Sequence, residues 1–351
     1  MRILISTTAF PPSVGGMETA SLFLASGLAE RGYDITVVTP MAGENDDAYP
    51  FPVVRQPGPA TLMRLVRETD LLWQNHIALR LLWPILLTPR PTIFMHHIWL
   101  DTNVEAGTKF GGLKRLVCMM GHNAFVSSAL RDAARLKGPI IPNSYDEDVF
   151  RIIPEIARDR DVAFLGRLTP LKGADILIDA IGLLARKNNR LTTTIIGAGA
   201  QEAALRARVA SAGISGHVEF SGPLRGEALA RMLNRHRILV VPSRWEEPFG
   251  IVVLEALASG CVVAVADSGA LPEVVGPCGP TFAKDDPKAL AAALERLVAN
   301  PETIADYRRH APAHLARFTR SAHLDACEEL IREAVGEKIE TSRAVKRQPA
   351  M

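Results

Sequence analysis

Short, β-branched apolar runs alternate with stretches of helical period along most of this chain, and that alternation constrains the fold more than any single motif. RILIS at 2–6 and DITVVT at 34–39 read as buried strands, and residues 17–31 between them carry apolar positions at helical spacing before Gly32. The rhythm continues with a strand at 53–56, a helix at 60–67, a strand at 70–74, a helix at 78–87, a strand at 92–96 and a helix near 113–119. A further strand leads to a helix starting at Ser127 or Ser128, then to a short strand ending at Pro142. Strands separated by whole helices cannot close hairpins, so the pattern predicts a doubly wound parallel sheet.

Residues 143–160, NSYDEDVFRIIPEIARDR, are polar, contain Pro154 and lack either period, which places a hinge there. A second array follows, with strands at 161–166, 191–196, 217–220, 238–241, 261–266 and 279–282. Its helices fall at 174–187, from Phe249 onward, at 287–300 and at 301–318. The expected fold class is therefore α/β, with two Rossmann-like doubly wound domains at 1–145 and 146–318 facing a cleft. The last helix, Ser321–Val335 in segment 319–335, is free to pack on the second domain or to cross back to the first. The charged tail 336–351 reads as disordered.

An apolar fraction of 48% in 351 residues supports two well-formed cores. Forty basic residues against 38 acidic ones leave no basic excess, so no nucleic acid partner is indicated. Cys118, Cys261, Cys278 and Cys327 form no CxxC pair and read as buried thiols of a reducing compartment. The start, MRILISTTAFPP, suits a first buried strand better than a signal peptide. No stretch reaches the ~20 apolar residues of a membrane span. The nearest, 79–87, is interrupted by Arg80 and Pro84 and reads as a buried helix, or else as part of a membrane-facing surface. A cytoplasmic protein is expected, with peripheral contact to the inner face of the membrane left open.

The chemistry concentrates in Pro242–Gly276, PSRWEEPFGIVVLEALASGCVVAVADSGALPEVVG, where Glu247 and Glu255 flank seven residues. Glu255 is the only charge on an apolar helix and shares a face with Ile251, Leu254 and Ala258 on a 3.6-residue period, so the pattern buries a carboxylate. Such a group needs strong donors from the fold or from a ligand. A helix start at Phe249, Gly250 and Ile251 offers free N–H groups and a positive dipole end to an anion. A polyhydroxylated, phosphate-bearing ligand meets both demands. The ordinary structural alternative makes Glu247 a helix cap and pairs Glu255 with an internal cation.

Three other places bear on the site. TTAFPPSVGGME, after the first strand, sets Gly15 and Gly16 where backbone can approach a ligand, just before Glu18. His96 and His97 end a strand beside Trp99 and Asp101. Arg167 and Lys172 flank the turn RLTPLKG, as a pair of cations gripping a phosphate would. Gly197-Ala198-Gly199 imitates a dinucleotide fingerprint, but Glu202 stands where its third glycine belongs.

With PPSVGGME, VSSALR, IIPNSYDEDVF, FLGRLTPLKGADILIDAI, TIIGAGAQE and above all the E-x7-E run EPFGIVVLEALASGCVVAVADSGALPEVVG, the chain resembles the GT-B glycosyltransferases, in detail the retaining enzymes of family 4, glycosyl transferases group 1. The resemblance implies that Glu247 contacts the transferred sugar and that Glu255 accepts from the nucleotide ribose. It implies that Arg167 and Lys172 hold the diphosphate without a metal or other cofactor, and that Phe249, Gly250, Ile251 and Val252 reach the sugar and distal phosphate through their backbone. Gly15 and Gly16 would close over the diphosphate from the first domain, and His96, rather than His97, would touch the donor sugar. Relatives often read NGVD where this chain has Asn143, Ser144, Tyr145 and Asp146. The implied activity moves a hexose-type sugar from a UDP- or GDP-sugar to a glycan or lipid-linked acceptor, in cell-surface polysaccharide or glycolipid synthesis. The alternatives are a nucleotide-sugar epimerase or hydrolase on the same architecture, and a non-catalytic nucleotide-sugar-binding protein.

Overall fold

The computed structural model describes residues 1–12, 15–43, 46–100 and 111–336. The expectation of a disordered tail therefore falls, from residue 337 on, outside the described residues. In chain order the first half contains β1 (Arg2–Thr7), α1 (Gly16–Glu30), β2 (Asp34–Thr39), β3 (Val53–Arg55), α2 (Pro59–Glu68), β4 (Leu71–Asn75), α3 (Leu79–Leu82), β5 (Thr92–His96), α4 (Gly111–Cys118), β6 (His122–Phe125) and α5 (Ser128–Ala134). The second half contains β7 (Arg160–Leu165), α6 (Ala174–Arg186), β8 (Thr193–Ile196), α7 (Glu202–Ser211), β9 (Val218–Gly222), α8 (Gly226–Asn234), β10 (His236–Val241), α9 (Ile251–Ala258), β11 (Val262–Ala266), α10 (Leu271–Val275), β12 (Thr281–Phe282), α11 (Pro287–Ala299), α12 (Pro301–Leu315) and α13 (Arg320–Val335).

Two six-stranded sheets result, ordered β3-β2-β1-β4-β5-β6 and β12-β11-β10-β7-β8-β9. Every strand pair in them is parallel. Both sheets have the same topology: the chain winds outward from one central strand, then jumps across it and winds the other way. The strand order reverses between β1 and β4 and between β7 and β10, and open α/β sheets bind ligands at the carboxyl ends of such strands. The central strands are buried on both faces, which is why they read as continuous apolar runs.

Three expectations change. The helix expected at 78–87 breaks after Leu82 into a 3-10 turn at Trp83–Leu86, because Pro84 lacks the N–H that an α-helix would need there. The strand expected before Pro142 reduces to a single bridge between Phe125 and Ile140. The helix after β10 begins at Ile251, two residues later than expected: Gly250 adopts φ 109°, a left-handed conformation that stops the helix from extending back to Phe249.

Helix α13 crosses back to the first sheet. Arg31, just after α1, reaches Glu328 and Asp325 at 2.7 Å each, and His323 Nδ1 lies 2.7 Å from the Pro142 carbonyl. The four cysteines are all free and buried.

Candidate active site

The turn after β7 and the loop after β10 leave neighbouring strands at the switch point of the second sheet, and together they build one cluster. Lys172 ends a 3-10 turn, Pro170–Lys172, closed by Gly173 at φ 71°. A side chain on Gly173 would collide with the Pro242 carbonyl, so only glycine lets this turn press onto the end of β10. Lys172 Nζ donates to Glu247 Oε1 at 2.6 Å, and Ser243 Oγ donates to the same oxygen at 2.7 Å. Glu247 is buried. It caps no helix: α9 has no side-chain cap, and the Glu247 carbonyl instead accepts from Ala270 N in the turn after β11.

Arg244 fastens this arrangement. Its guanidinium grips both oxygens of Asp175 at 2.8 Å, Asp285 at 2.7 Å and the Pro170 carbonyl at 3.0 Å. The backbone N–H groups of Arg244 and Trp245 both donate to the Leu171 carbonyl. These carboxylates push the Arg244 pKa above its usual range. Neither Arg244 nor Ser243 carried a signal in the sequence, because the Arg244–Asp175 pair spans 69 residues. Arg167 lies on the same turn as Lys172, exposed, with no carboxylate partner among the described residues.

At the start of α9, Val253 N is the first amide to bond back, to Gly250 O at 3.0 Å. The amides of Ile251 and Val252 precede it, at the positive end of the helix dipole. Phe249 is outside the helix, and its ring is buried 6.0 Å from the Phe318 ring, so its side chain faces away from this cluster. Glu255 follows one turn along. Leu254 and Ala258 are buried as expected, but Ile251 and Glu255 are partly accessible: the face the sequence assigned to the core is the rim of the cleft. No cation pairs with Glu255 and no donor reaches its carboxylate among the described residues. Burial, with Asp146 nearby, pushes its pKa up to about 7.

The first half supplies the opposite wall. A β-carbon on Gly16 would sit 3.7 Å from Ile251 Cδ1, so the loop carrying Gly15 and Gly16 faces the start of α9. Trp99 Nε1 donates to the Glu246 carbonyl at 2.8 Å, Ser127 Oγ to the Pro248 carbonyl at 2.7 Å, and Ser128 N to Glu273 Oε2 at 2.9 Å. Between these contacts lies a cavity of about 350 Å³ lined by His96, Trp99, Leu100, Phe125, Leu130 and Trp245 among others.

His96 stacks on Phe125, with ring centroids 4.6 Å apart. Asn123 Nδ2 donates to the Cys118 carbonyl at 2.9 Å, which turns Asn123 Oδ1 toward His96 Nε2, 2.9 Å away. His96 Nε2 therefore carries the proton, and Nδ1 is left as a bare acceptor. Burial lowers the His96 pKa to about 4, so the ring is neutral at pH 7. His97 turns away from the cavity, its Nε2 2.7 Å from Asn75 Oδ1, and burial lowers its pKa to about 3. His76, which the sequence did not single out, sits at φ 92° just past β4, with burial lowering its pKa to about 3.

The arrangement offers cations, free helix amides, an unpartnered carboxylate and a neutral imidazole around one interdomain cleft. The chain has the GT-B architecture of two facing Rossmann-like sheets. Sucrose-phosphate synthase from Thermosynechococcus elongatus shares this fold with a TM-score of 0.79 over 96% of this chain and 100% of that one, at 19% identity. Anabaena HepE, solved in complex with UDP and glucose, does so with a TM-score of 0.79 over 95% and 100%, at 21% identity.

Over residues 146–314 the chain matches the family model Glycosyl transferases group 1. A D-inositol 3-phosphate glycosyltransferase of Jonesia denitrificans is 32% identical over 198 residues, 54% of this chain and 46% of that protein. This chain thus spans about half the length of that relative. A GDP-mannose-dependent alpha-(1-6)-phosphatidylinositol monomannoside mannosyltransferase of Mycobacterium tuberculosis is 29% identical over 322 residues, 78% of this chain and 82% of that one.

Proposed function

We propose that the protein is a retaining, metal-independent glycosyltransferase that moves a hexose from a nucleotide diphosphate sugar to a glycan or lipid-linked acceptor. The observation that carries this reading is the unpartnered, partly accessible Glu255 one helical turn from the free amides of Ile251 and Val252, together with the Lys172–Glu247 pair, whose glutamate lies in the loop that leads to the same helix. Glu255 accepts from the two ribose hydroxyls, which supply the donors the protein withholds. Arg167 and Lys172 take the diphosphate and neutralise the charge that grows on it as the glycosidic bond breaks. Glu247 holds sugar hydroxyls, and the amides of Ile251 and Val252 bind sugar and distal phosphate oxygens. Gly15 and Gly16 cover the diphosphate from the opposite wall, and the neutral His96 ring, which lines the cavity, touches the donor sugar.

The reacting carbon develops oxocarbenium character, and alignment of the acceptor hydroxyl supplies much of the remaining rate. For retention the hydroxyl attacks from the face the diphosphate leaves, and the departing phosphate oxygen takes its proton. The family resemblance, rather than the geometry, supports that stereochemistry. A hexose from UDP or GDP, and an inositol- or lipid-bearing acceptor, fit what the names of the relatives and fold neighbours describe. A cytoplasmic site of action, in surface polysaccharide or glycolipid synthesis, agrees with the reduced cysteines. Among the described residues no helix is long and apolar enough to cross a membrane.

The test is a thermal-shift screen of nucleotide sugars, followed by assays of the best binder with a cell-extract acceptor and with none. The reading expects acceptor-dependent transfer with the anomeric configuration kept. Donor consumed equally fast without acceptor would favour a hydrolase or epimerase, and saturable binding without turnover a non-catalytic binding protein.

A further inference from the structure

The β4-to-β5 and β5-to-β6 connections step across the first sheet in the same direction. Right-handed crossovers therefore lay α3, its 3-10 extension and α4 side by side on one face, where α2 also packs. That face is apolar where it meets solvent. Leu86, Leu87, Leu116, Met119 and Met120 are each 60–70% exposed. Helix α4 is turned inside out, because Lys114 is buried while Leu113 and Leu116 point outward. Apart from the exposed Arg80, the α3 segment is apolar, burying Leu81, Leu82 and Ile85 and exposing Trp83, Leu86 and Leu87. Scattered exposed leucines are ordinary, but two adjacent crossovers, one presenting leucines and the other leucine and methionines, form a patch that calls for a partner.

Charge identifies the partner. Residues 71–131 contain two acidic residues, Asp101 and Glu105, against Arg80, Arg90, Lys109, Lys114, Arg115 and Arg131. On the adjoining edge of α2, Glu68 is taken up by Arg64 at 3.1 Å, whereas Arg67 and Arg80 are exposed and face no carboxylate among the described residues. A second copy of this chain would bring like charges together. A surface that is both apolar and anionic matches both features.

We propose that this face docks on the surface of an anionic lipid bilayer, with Leu86, Leu87, Leu116, Met119 and Met120 entering the headgroup boundary and Arg67 and Arg80 meeting lipid phosphates. This deepens the reading of a lipid-linked acceptor, because β5 and β6 carry His96 and Phe125 at the cavity on the cleft side of the same sheet.

The test is flotation of the full chain with phosphatidylcholine vesicles, with and without phosphatidylglycerol. Binding is expected only with phosphatidylglycerol, and it should weaken as salt rises. Leu116→Glu/Met119→Glu should lower it about ten-fold or more, and Arg67→Gln/Arg80→Gln about five-fold per charge. Thermal unfolding and nucleotide-sugar binding should match the parent, which shows that the variants fold. Vesicle binding that persists in a chain found to bind no nucleotide sugar would support the docking face while removing the proposed function. Absence of flotation, flotation indifferent to the four substitutions, or a parent that self-associates while Leu116→Glu/Met119→Glu stays monomeric would overturn the proposal.

Discussion

Lys172 Nζ donates to Glu247 Oε1 over 2.6 Å, joining two loops that leave adjacent strands where the order of the second sheet reverses. In the proposed reaction the lysine serves diphosphate and the glutamate serves sugar, so with no donor bound each neutralises the other. Lys172→Ala should cut kcat by about 10²–10³. Arg167→Ala should also lower turnover strongly. Because Lys172 is partly solvated and Ser243 still donates to the buried Glu247, the fold should persist, and full activity in both alanine variants would refute the phosphate role.

Glu255 gives the site a pH signature. Its folded pKa of about 7 lies above the ordinary 4.5, so its contribution to stability is fully present below 4.5 and is lost as pH rises toward 7. That loss amounts to roughly 3 kcal/mol. Glu255→Gln should therefore gain stability relative to the parent between pH 5 and 8, as followed by denaturant unfolding. Ribose hydroxyls prefer the ionised carboxylate, so affinity for an intact nucleotide sugar should rise up to about ten-fold from pH 6 to 8 in the parent. A flat profile in Glu255→Gln would tie the effect to this group, and a flat profile in the parent would exclude it.

In the proposed reaction Arg244 is a positioning residue, holding the turn that carries Lys172. Its four contacts hold the turn after β7 against the loop after β10. Arg244→Lys keeps the charge but loses the two-pronged grip on Asp175, so it should behave like Arg244→Ala, with kcat down about ten-fold and the donor KM much less affected. Recovery by lysine would show that charge alone matters.

Metal independence is checked with a chelator. Transfer should continue unchanged in its presence, whereas complete loss restored by a divalent cation would reject the role given to Arg167 and Lys172.

Alternation of strand and helix was enough to read both sheets, because a parallel strand buried on both faces leaves a continuous β-branched run such as VVAVA at Val262–Ala266. The site was legible where chemistry is local: Glu247, Glu255, Lys172 and the α9 start all fall in short segments. It was illegible where chemistry is tertiary. Arg244 and Asp175 meet only after folding, and Asn123, which orients His96, lies on the next strand. Helical period placed Glu255 in the core, but period cannot tell which helix face meets a cleft, and the sheet packing turned that face toward Gly16. Backbone conformation at Gly250 moved the helix start past Phe249, a choice that a left-handed glycine makes and that composition does not reveal.

The most direct test of the central claim is calorimetric titration of a nucleotide-sugar panel into the parent, Lys172→Ala and Glu255→Gln. The account predicts saturable, one-to-one binding of at least one UDP- or GDP-sugar, weakened by about ten-fold or more in each variant while their folds stay intact. Failure of every nucleotide sugar to bind the parent, or equal affinity in all three proteins, would contradict it.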